Sequence, residues 1–369
     1  MKKDTKSRKK VLIATNYSYM LYRFRKELIE ALMEKHEVVL VMPFTGHEDD
    51  FQAMGLRCIN TDLERRSINP FTDLKLVKDY SKILKAEKPD CVITYSIKPN
   101  IYAGYLCGRY GIPYYANVQG LGTAFQKLGL AQFVTLLYKT AFRKVQKVFF
   151  ENETNAAEFR NRRILKKEKQ VVLHGAGINL DEYAFQPYQP HDPVHFLYLG
   201  RIMKEKGMDE LFGAARRLHA DGEKFVLDVV GFFDEGNDEY QEQLKQLEAD
   251  GIAVFHGKQE DPRPFYREAD CVVMPSYHEG LSNVLLEAAA IGRPIITTDI
   301  PGCREAVEHQ KTGLLCKVRN EESLYRAMKA FLTLPIEKRE DYGKAGRSKM
   351  EAEFDKKAVV AETMDALQI

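Results

Sequence analysis

Two cations and two carboxylates in the second half of the chain have types and spacings that suit a phosphorylated, hydroxyl-rich ligand. Arg201 and Lys206 stand five positions apart in GRIMKEKG, at a predicted strand-to-helix turn, and both can reach one diphosphate. Glu279 and Glu287 stand eight positions apart, and a carboxylate can accept two hydrogen bonds from a sugar or ribose diol. Two carboxylates would also suit glycoside hydrolysis. A solvated basic loop is the alternative interpretation of the cations.

The helix that follows Glu279 begins in a way that suits a phosphate. Gly280, Ser282 and Asn283 stand where this apolar helix starts, and Gly292-Arg293-Pro294 ends it. The first N–H groups of a helix lack partners and carry about half a positive charge, so an anion binds there. The chain contains neither GxxxxGK[ST] nor GxGxxG, so an NTPase or dinucleotide loop is not supported.

Alternating strands and helices predict two α/β domains that position these residues. In the first half, strands are predicted at 11–14, 38–42, 91–94, 114–117, 148–151 and 171–173, and the helices include 21–35, 74–88 and 100–110. In the second half, strands are predicted at 195–199, 226–230, 252–255, 271–274, 295–297 and 314–315, and the helices include 207–220, 283–291, 303–308 and 321–333. The Pro- and aromatic-rich segment 183–193 reads as a linker.

Loops at the carboxyl ends of parallel strands build the binding crevice of such sheets. In the first half this rule selects Asn16–Ser18, Ser96–Asn100 and Asn117–Gly122. These three loops should therefore lie along one edge.

The composition is that of a soluble globular protein, with 44% hydrophobic and 29% charged residues among 369. No apolar run reaches about eighteen residues, so no transmembrane helix is expected. The basic N-terminus is followed by too short an apolar run for a signal peptide, which predicts a cytoplasmic protein. Six scattered cysteines without a CxxC pair indicate buried small hydrophobes, not zinc ligands or disulfides.

Charge is divided unevenly along the chain. Residues 1–180 contain 31 Lys and Arg against 18 Asp and Glu, whereas the remainder contains 24 against 35. The basic half could meet nucleic acid, an anionic membrane surface or a diphosphate-bearing acceptor. An unevenly charged, solvated surface is the fourth interpretation.

Residues 126–148 combine apolar positions with interleaved Lys and Arg. Packing of the apolar stripe on the core is the favoured interpretation. A basic amphipathic helix at a membrane interface is the alternative, and the two are compatible if only the basic end meets lipid.

Taken together, the motifs resemble the retaining glycosyltransferases of family 4, which have the GT-B fold. The resemblance in the second half is carried by Gly200-Arg201, Lys206-Gly207, Glu279-Gly280-Leu281-Ser282-Asn283, Glu287, Gly292-Arg293-Pro294, Pro301-Gly302-Cys303-Arg304-Glu305 and Thr312-Gly313-Leu314-Leu315. In the first half, Lys98-Pro99-Asn100, Gln119-Gly120-Leu121-Gly122 and 174–179 resemble the capsular and lipid-linked oligosaccharide branch. That branch includes enzymes that add N-acetylhexosamines to undecaprenyl-diphosphate-linked sugars.

The resemblance implies a role for each donor-side residue. Arg201 and Lys206 would hold the donor diphosphate, Glu279 would contact the donor sugar on its reacting face, and Glu287 would bind the ribose. The remaining donor-binding residues would be Gly200, Gly280, the backbone amides of Leu281, Ser282 and Asn283, and His256, Gly257 and Lys258 near the base. No metal or other cofactor is expected, because two cations and a helix dipole neutralise the diphosphate and the sequence has no DxD triplet. Retention without a clear nucleophile suggests front-face attack.

The acceptor side is expected in the first domain, with Asn16, Tyr17, Lys98, Gln119 and Gly120 as candidates. Many relatives carry a glycine pair in the first β-α turn, where this chain has Asn16-Tyr17-Ser18. Many also place a His facing the donor sugar, where this chain offers Lys98 or Gln119. His174 is interpreted as structural.

The sequence therefore predicts an α/β protein of GT-B fold, with two Rossmann-like domains facing across a cleft. An acceptor-binding domain is expected over 1–182, a donor-binding domain over 183–350, and a closing helix over 351–369 that packs back on the first domain. The expected activity is metal-independent, retaining transfer of a sugar, expected to be an N-acetylhexosamine, from a UDP-sugar to an undecaprenyl-diphosphate-linked saccharide. Capsule, O-antigen or glycoprotein glycan synthesis is the expected setting.

The predicted location is the inner face of the cell membrane, with the basic domain on the anionic surface and with no nucleic-acid partner. Two alternatives remain open. One is a UDP-sugar epimerase of GT-B fold, which would need acid and base residues facing C2 of the sugar. The other is a non-catalytic nucleic-acid-binding protein, which would need basic and aromatic platforms.

Overall fold

The computed structural model describes residues 8–63, 70–121, 125, 128–234 and 238–369. Residues 2–7 of the basic N-terminus, Gly122 of the third predicted loop and residues 126–127 lie outside this range. The chain divides into two compact units, Met1–Ala176 with Lys357–Ile369, and Gly177–Lys356. The limits expected from the sequence, 182/183 and 350/351, differ from these by six residues at each boundary.

The first unit is built on a seven-stranded parallel sheet with the order β3-β2-β1-β4-β5-β6-β7. Its strands are Lys10–Ala14 (β1), Glu37–Met42 (β2), Arg57–Asn60 (β3), Cys91–Tyr95 (β4), Tyr114–Val118 (β5), Val148–Phe150 (β6) and Gln170–Val172 (β7). Its helices are Ser18–Phe24 (α1), Lys26–Lys35 (α2), Glu48–Ala53 (α3), Pro70–Glu87 (α4), Ile97–Tyr110 (α5), Leu128–Ala141 (α6) and Glu153–Asn161 (α7).

Both faces of this sheet are buried, as is usual for parallel sheets covered by crossover helices. Successive side chains of a strand point to opposite faces. Leu12 and Ala14 of β1 accordingly belong to one core, and Val11 and Ile13 belong to the other. This explains why the strands read as short continuous apolar runs.

The second unit has a six-stranded parallel sheet with the order β10-β9-β8-β11-β12-β13. Its strands are Val194–Ile202 (β8), Phe225–Phe233 (β9), Ala253–Gly257 (β10), Cys271–Met274 (β11), Ile295–Thr298 (β12) and Gly313–Cys316 (β13). Its helices are Met208–Ala220 (α8), Asp238–Ala249 (α9), Arg263–Glu268 (α10), Asn283–Ile291 (α11), Glu321–Thr333 (α12) and Ile336–Glu353 (α13). Two parallel sheets, each covered by helices, confirm the predicted pair of Rossmann-like domains.

The last helix, Lys356–Leu367 (α14), belongs almost entirely to the first unit. Leu367 is fully buried in that unit's core, and Val360 and Met364 pack against it. The C-terminal segment thus completes the first domain.

Two helix predictions are wrong. The helix expected over 21–35 is interrupted at Arg25, whose backbone has φ −129° and ψ 8°. The helix expected over 303–308 is a series of turns, in which the Cys303 and Arg304 amides both donate to the Ile300 carbonyl oxygen. Both segments are held by contacts with residues outside the predicted helix.

The predicted burial of the cysteines holds for five of the six. All six thiols are free, five are buried, and Cys58 is half-buried. Among the described residues, no helix is both long enough and apolar enough to cross a membrane.

Candidate functional site

Two loops of the second unit meet beyond the carboxyl ends of neighbouring strands β8 and β11. The Tyr277 amide donates a hydrogen bond to the Glu205 carbonyl oxygen at 2.9 Å, which joins the loops through their backbones. Gly207 has φ 76°, and a Cβ there would overlap the carbonyl oxygen of Pro275. Only glycine permits this close approach of the two backbones. The packing of the loops therefore explains why a glycine follows Lys206.

The joined loops bring two predicted site residues into direct contact. Lys206 Nζ forms an ion pair with Glu279 Oε1, and the two side chains are 18% and 13% exposed. Arg201, near the end of β8, is 38% exposed and donates to Asp234 Oδ2 at 3.3 Å. The site therefore contains two cations, each with a carboxylate partner.

Tyr198 lies close enough to Glu279 and Arg201 for both charges to affect the pKa of its hydroxyl. Burial raises the pKa of its hydroxyl, the negative charge of Glu279 raises it further, and the positive charge of Arg201 opposes this. Its hydroxyl donates to the Arg201 carbonyl oxygen at 2.6 Å. This neutral phenol holds the strand end that carries Arg201.

The turn 301–305 packs against the loop that carries Glu279. A Cβ at Gly302, whose φ is 88°, would lie 2.7 Å from the carbonyl oxygens of Glu279 and Gly280. The Ser282 amide donates to the Gly302 carbonyl oxygen at 2.9 Å. Burial raises the pKa of the Cys303 thiol to about 12, and Glu279 adds to the shift. The amide of Ser282 is thus engaged within the unit.

Glu287 lies on α11, only 6% exposed, and accepts a hydrogen bond from the Tyr266 hydroxyl at 2.8 Å. Tyr266 comes from α10 and is fully buried. The sequence reasoning missed this partner, because nothing in the α10 pattern distinguishes a buried tyrosine with a function from one that only packs.

The segment 256–258 lies at the end of β10. The His256 Nε2 atom lies 2.7 Å from Asp228 Oδ1, and His195 Nδ1 lies 2.7 Å from the other oxygen of the same carboxylate. Gly257 has φ 67°, and Lys258 Nζ lies 5.9 Å from the centre of the Phe232 ring. The His256 side chain is therefore oriented by Asp228, whose role the sequence reasoning missed.

The acceptor-side candidates of the first unit are spread along its sheet edge. Asn16 and Tyr17 follow β1 and are half-buried. Lys98, at the start of α5, forms an ion pair with Asp73 at 2.9 Å, with both side chains under 20% exposed. Gln119 and Gly120 follow β5, about half-buried.

A buried amide network explains the polar residues that precede these loops. Asn100 donates to the Asn117 carbonyl oxygen at 2.8 Å and accepts from the Thr94 hydroxyl at 2.7 Å. Asn117 returns a bond to the Thr94 carbonyl oxygen at 3.2 Å. The asparagine of the Lys98-Pro99-Asn100 motif thus ties β4 to β5.

A small pocket that is partly open to solvent lies beyond the ends of β5, β6 and β7. Its polar lining comes from Arg25, Asn117, Gln119 and Glu151. Arg25 is 7% exposed, donates to Glu151 at 2.9 Å, and has an Nε atom without a hydrogen-bond partner among the described residues. Of these four residues, the sequence reasoning selected only Gln119 as a site candidate.

Within the described ranges, no group of three or more His, Cys, Asp or Glu side chains is arranged to hold a metal ion.

The sequence matches two family models. Residues 180–349 match the family described as glycosyl transferases group 1, and residues 10–152 match the one described as glycosyl transferase 4-like. A relative from Campylobacter jejuni, an N,N'-diacetylbacillosaminyl-diphospho-undecaprenol alpha-1,3-N-acetylgalactosaminyltransferase, is 32% identical over 327 residues, 82% of this chain and 84% of that protein. The chain belongs to this glycosyltransferase family, which confirms the predicted resemblance and enzyme class over the epimerase and nucleic-acid alternatives.

Two further similarities agree with this assignment. A capsular polysaccharide biosynthesis glycosyltransferase, CapM, from Staphylococcus aureus is 25% identical over 310 residues, 80% of each chain. The structure of Anabaena Alr3699/HepE in complex with UDP and glucose superposes with a TM-score of 0.81, covering 98% of this chain and 99% of that one at 15% identity. The predicted GT-B fold is confirmed.

Proposed function

We propose that this glycosyltransferase transfers an N-acetylhexosamine from a UDP-sugar to a saccharide carried on undecaprenyl diphosphate, with retention and without a metal ion. The observation that carries the proposal is the ion pair between Lys206 and Glu279, with Arg201 on the adjoining strand end. The Campylobacter relative is named for action on a diphospho-undecaprenol saccharide. The Anabaena protein was solved with UDP and glucose. The Anabaena structure supports a UDP-linked donor, and the name of the Campylobacter relative supports an N-acetylhexosamine and the acceptor class.

In this mechanism Arg201 and Lys206 bind the donor diphosphate and stabilise the charge that develops as it leaves. Cations fixed where charge develops favour the transition state over the ground state. Glu279 shares Lys206 with the diphosphate and accepts hydrogen bonds from the donor sugar. The acceptor hydroxyl forms the new C–O bond on the face from which UDP departs. Its proton passes to the leaving diphosphate oxygen, so charge balances without a protein nucleophile.

Three parts of the second unit hold the nucleotide: Glu287, the start of α11 and the segment 256–258. Glu287, oriented by Tyr266, accepts hydrogen bonds from the ribose hydroxyls. The amides of Leu281 and Asn283 contact phosphate at the start of α11, because the Ser282 amide already donates to Gly302. The segment 256–258 lies against the base.

The acceptor belongs to the first unit in this proposal. The pocket lined by Arg25, Asn117, Gln119 and Glu151 offers hydrogen-bond donors and acceptors for a saccharide. Asn16, Tyr17, Lys98 and Gly120 line the same sheet edge. The lipid-linked acceptor keeps the enzyme at the inner surface of the membrane, where the excess of basic residues in the first 180 positions favours anionic lipid.

A donor screen tests the proposal. UDP-, GDP- and ADP-sugars are incubated with a polyprenyl-diphosphate-linked saccharide, with and without EDTA, and product and free nucleotide are measured. The expected result is turnover with a UDP-N-acetylhexosamine that EDTA does not reduce. Absence of product with every donor would contradict the proposal, whereas loss of activity in EDTA would contradict only its metal-free part.

The ribose role of Glu287 has its own test. Glu287→Ala should weaken UDP binding about tenfold or more, because a buried carboxylate that accepts two hydroxyls is lost. Glu242→Ala, at a side chain 76% exposed on α9, is the matched control. Unchanged UDP affinity in calorimetry of Glu287→Ala would refute the role.

A further inference from the structure

The stretch from Cys91 to Phe150 contains sixty residues without a single Asp or Glu. The same stretch contains seven cations, Lys98, Arg109, Lys127, Lys139, Arg143, Lys144 and Lys147. Charged residues make up 29% of the chain, so a run of this length without a carboxylate is unusual. It covers α5 and α6.

Helix α6 buries one side and exposes apolar residues on another. Val134 and Tyr138 lie in the first unit's core and Leu137 packs against it, so the predicted inward packing holds for only part of the apolar positions. Phe133 and Leu136, however, are 55% and 61% exposed. These are the two highest exposures among the large hydrophobic side chains in the described part of the chain.

Phe133 and Leu136 form one exposed apolar patch, because residues three apart are neighbours on a helix surface. Single exposed apolar residues are normal on a protein surface, but adjacent ones mark a contact site. The neighbouring helix α5 adds Tyr105, which is 41% exposed. Packing against the core therefore does not account for all the apolar residues of α6.

Cations follow these apolar side chains, Lys139 in the last turn of α6 and Arg143 and Lys144 in the 3₁₀ turn Phe142–Lys144 after it. Lys139, Arg143 and Lys144 are all exposed. Gly108 of α5 lies against Lys144, which brings the end of α5, with the exposed Arg109, beside them. As far as the structure describes the chain, Lys139, Arg143 and Lys144 form no ion pair with a carboxylate. Their charge is available to an anionic partner.

We propose that this surface, which we call the α6 face and define as Phe133, Leu136, Lys139, Arg143 and Lys144, docks on an anionic lipid membrane. The inference rests on the proposed function in one respect, because a lipid-linked acceptor requires the enzyme to work at a membrane. Apolar side chains enter the headgroup region while adjacent Lys and Arg contact anionic headgroups. A membrane fits better than nucleic acid because an exposed apolar pair would gain nothing from a phosphate backbone.

Both parts of the α6 face should contribute measurably. Loss of three juxtamembrane cations should weaken binding about a hundredfold, since each is worth about 1 kcal/mol at an anionic surface. Replacement of the two apolar side chains should weaken binding about tenfold or more, given their transfer free energies. Added salt should weaken the first contribution and leave the second largely unchanged.

Vesicle co-sedimentation tests the proposal with the full-length protein. Vesicles of phosphatidylcholine alone are compared with vesicles that also contain phosphatidylglycerol in equal amount. The variants are Phe133→Ser/Leu136→Ser and Lys139→Gln/Arg143→Gln/Lys144→Gln. The matched controls are Val254→Ser/Ile336→Ser, at side chains 44% and 50% exposed in the second unit, and Lys166→Gln/Lys167→Gln/Lys224→Gln, at exposed lysines elsewhere.

The expected result is binding to the anionic vesicles by the parent protein and both controls, with the losses stated above in the two α6 variants. Binding that is equal in all five proteins, or absent in the parent, would overturn the proposal. Retention on duplex DNA without vesicle binding would favour nucleic acid instead. Transfer to a short-chain, water-soluble acceptor should be unchanged in the α6 variants. Vesicle binding without turnover would contradict only the proposed function, and turnover without vesicle binding would contradict only this inference.

Discussion

The two units arrange polar residues at their sheet edges in different ways. In the second unit, Lys206 and Glu279 meet because two short loops are joined through backbone atoms and packed at Gly207. In the first unit, the pocket gathers side chains from distant segments, such as Arg25 and Glu151, which lie 126 positions apart. The arrangement in the second unit leaves two short motifs in the sequence, 73 positions apart, and the arrangement in the first unit leaves almost none.

This difference suits two kinds of ligand recognition. A diphosphate needs cations and amides at fixed positions, which short glycine-bearing loops supply. A saccharide acceptor is recognised by side chains that can be drawn from any strand end. The proposed donor side is therefore easier to predict from a sequence than the proposed acceptor side.

The backbone contact at Gly207 is expected to show the largest effect. Gly207→Ala places a Cβ against the Pro275 carbonyl oxygen at a positive φ, whereas Gly222→Ala has a similar φ of 81° and open space around it. Both changes should cost about 1–2 kcal/mol for the left-handed conformation. Only the first should exceed about 4 kcal/mol in urea unfolding. Equal losses in the two variants would refute the claim that this contact fixes the loops.

The pair formed by Arg25 and Glu151 in the first unit should show stability losses of comparable size, and the two losses should not be additive. Arg25→Ala removes the buried guanidinium that contacts the half-buried Glu151 carboxylate at 2.9 Å, which should cost about 3–5 kcal/mol of unfolding free energy. Glu151→Ala should cost a similar amount, and the double variant should cost less than the sum. Lys166→Ala, at a side chain 84% exposed, is the control and should change little. Strict additivity of the two losses would show that the pair is not coupled.

The hydroxyl of Tyr266 should contribute to donor binding through Glu287. Tyr266→Phe removes one buried hydrogen bond, so UDP affinity should fall about tenfold. Tyr240→Phe removes a similar bond, from a hydroxyl 2.8 Å from Asp209 in the same unit, and serves as the control. A larger loss of UDP affinity in the control than in Tyr266→Phe would contradict the positioning role.

The smallest effect should be a stability loss at alkaline pH that both units share. Each unit holds three thiols, and burial raises the pKa of every one, to about 11 for Cys58 and about 12 for Cys91 and Cys303. A raised pKa stabilises the folded state fully below the ordinary value of 9.0, and this stability is lost as pH rises through the folded-state pKa. The melting temperature should therefore decline above about pH 9, and these thiols should make it neither rise nor fall with pH near neutrality. Rapid alkylation of folded Cys303 at neutral pH would contradict this expectation.

The fold could be predicted because most strands are short apolar runs bounded by turn residues. Cys271–Met274 and the helix Asn283–Ile291 were both predicted with their observed limits. The sequence reasoning missed β3, which lies at the edge of its sheet with two exposed and two half-buried residues, and the short helix α3 before it. Neither carries the apolar pattern of a buried element.

The wrong predictions share one physical cause, which is a partner distant in sequence. Arg25 interrupts its helix where its guanidinium contacts Glu151 and the Gly175 carbonyl oxygen. Residues 303–308 have strong helix formers, yet they fold into turns on the loop that carries Glu279. Local propensity is a weak predictor when tertiary contacts decide.

The site residues that the sequence reasoning missed also depend on partners distant in sequence. The contact between Lys206 and Glu279 follows from motifs that the sequence displays, whereas Tyr266, Asp228 and Arg25 acquire their roles only through folding. Among the acceptor-side candidates, the sequence could place residues at an edge but not choose between them.

One measurement tests the central claim most directly: the rate of sugar transfer by Lys206→Ala compared with Lys204→Ala. Lys204 lies two positions away, is 64% exposed and pairs with Asp209 instead of Glu279. If Lys206 stabilises the leaving diphosphate, kcat of Lys206→Ala should fall by about 10²–10³, while Lys204→Ala remains near the parent value. Thermal unfolding of both variants checks that the fold is retained. Equal kcat in the two folded variants would contradict the account.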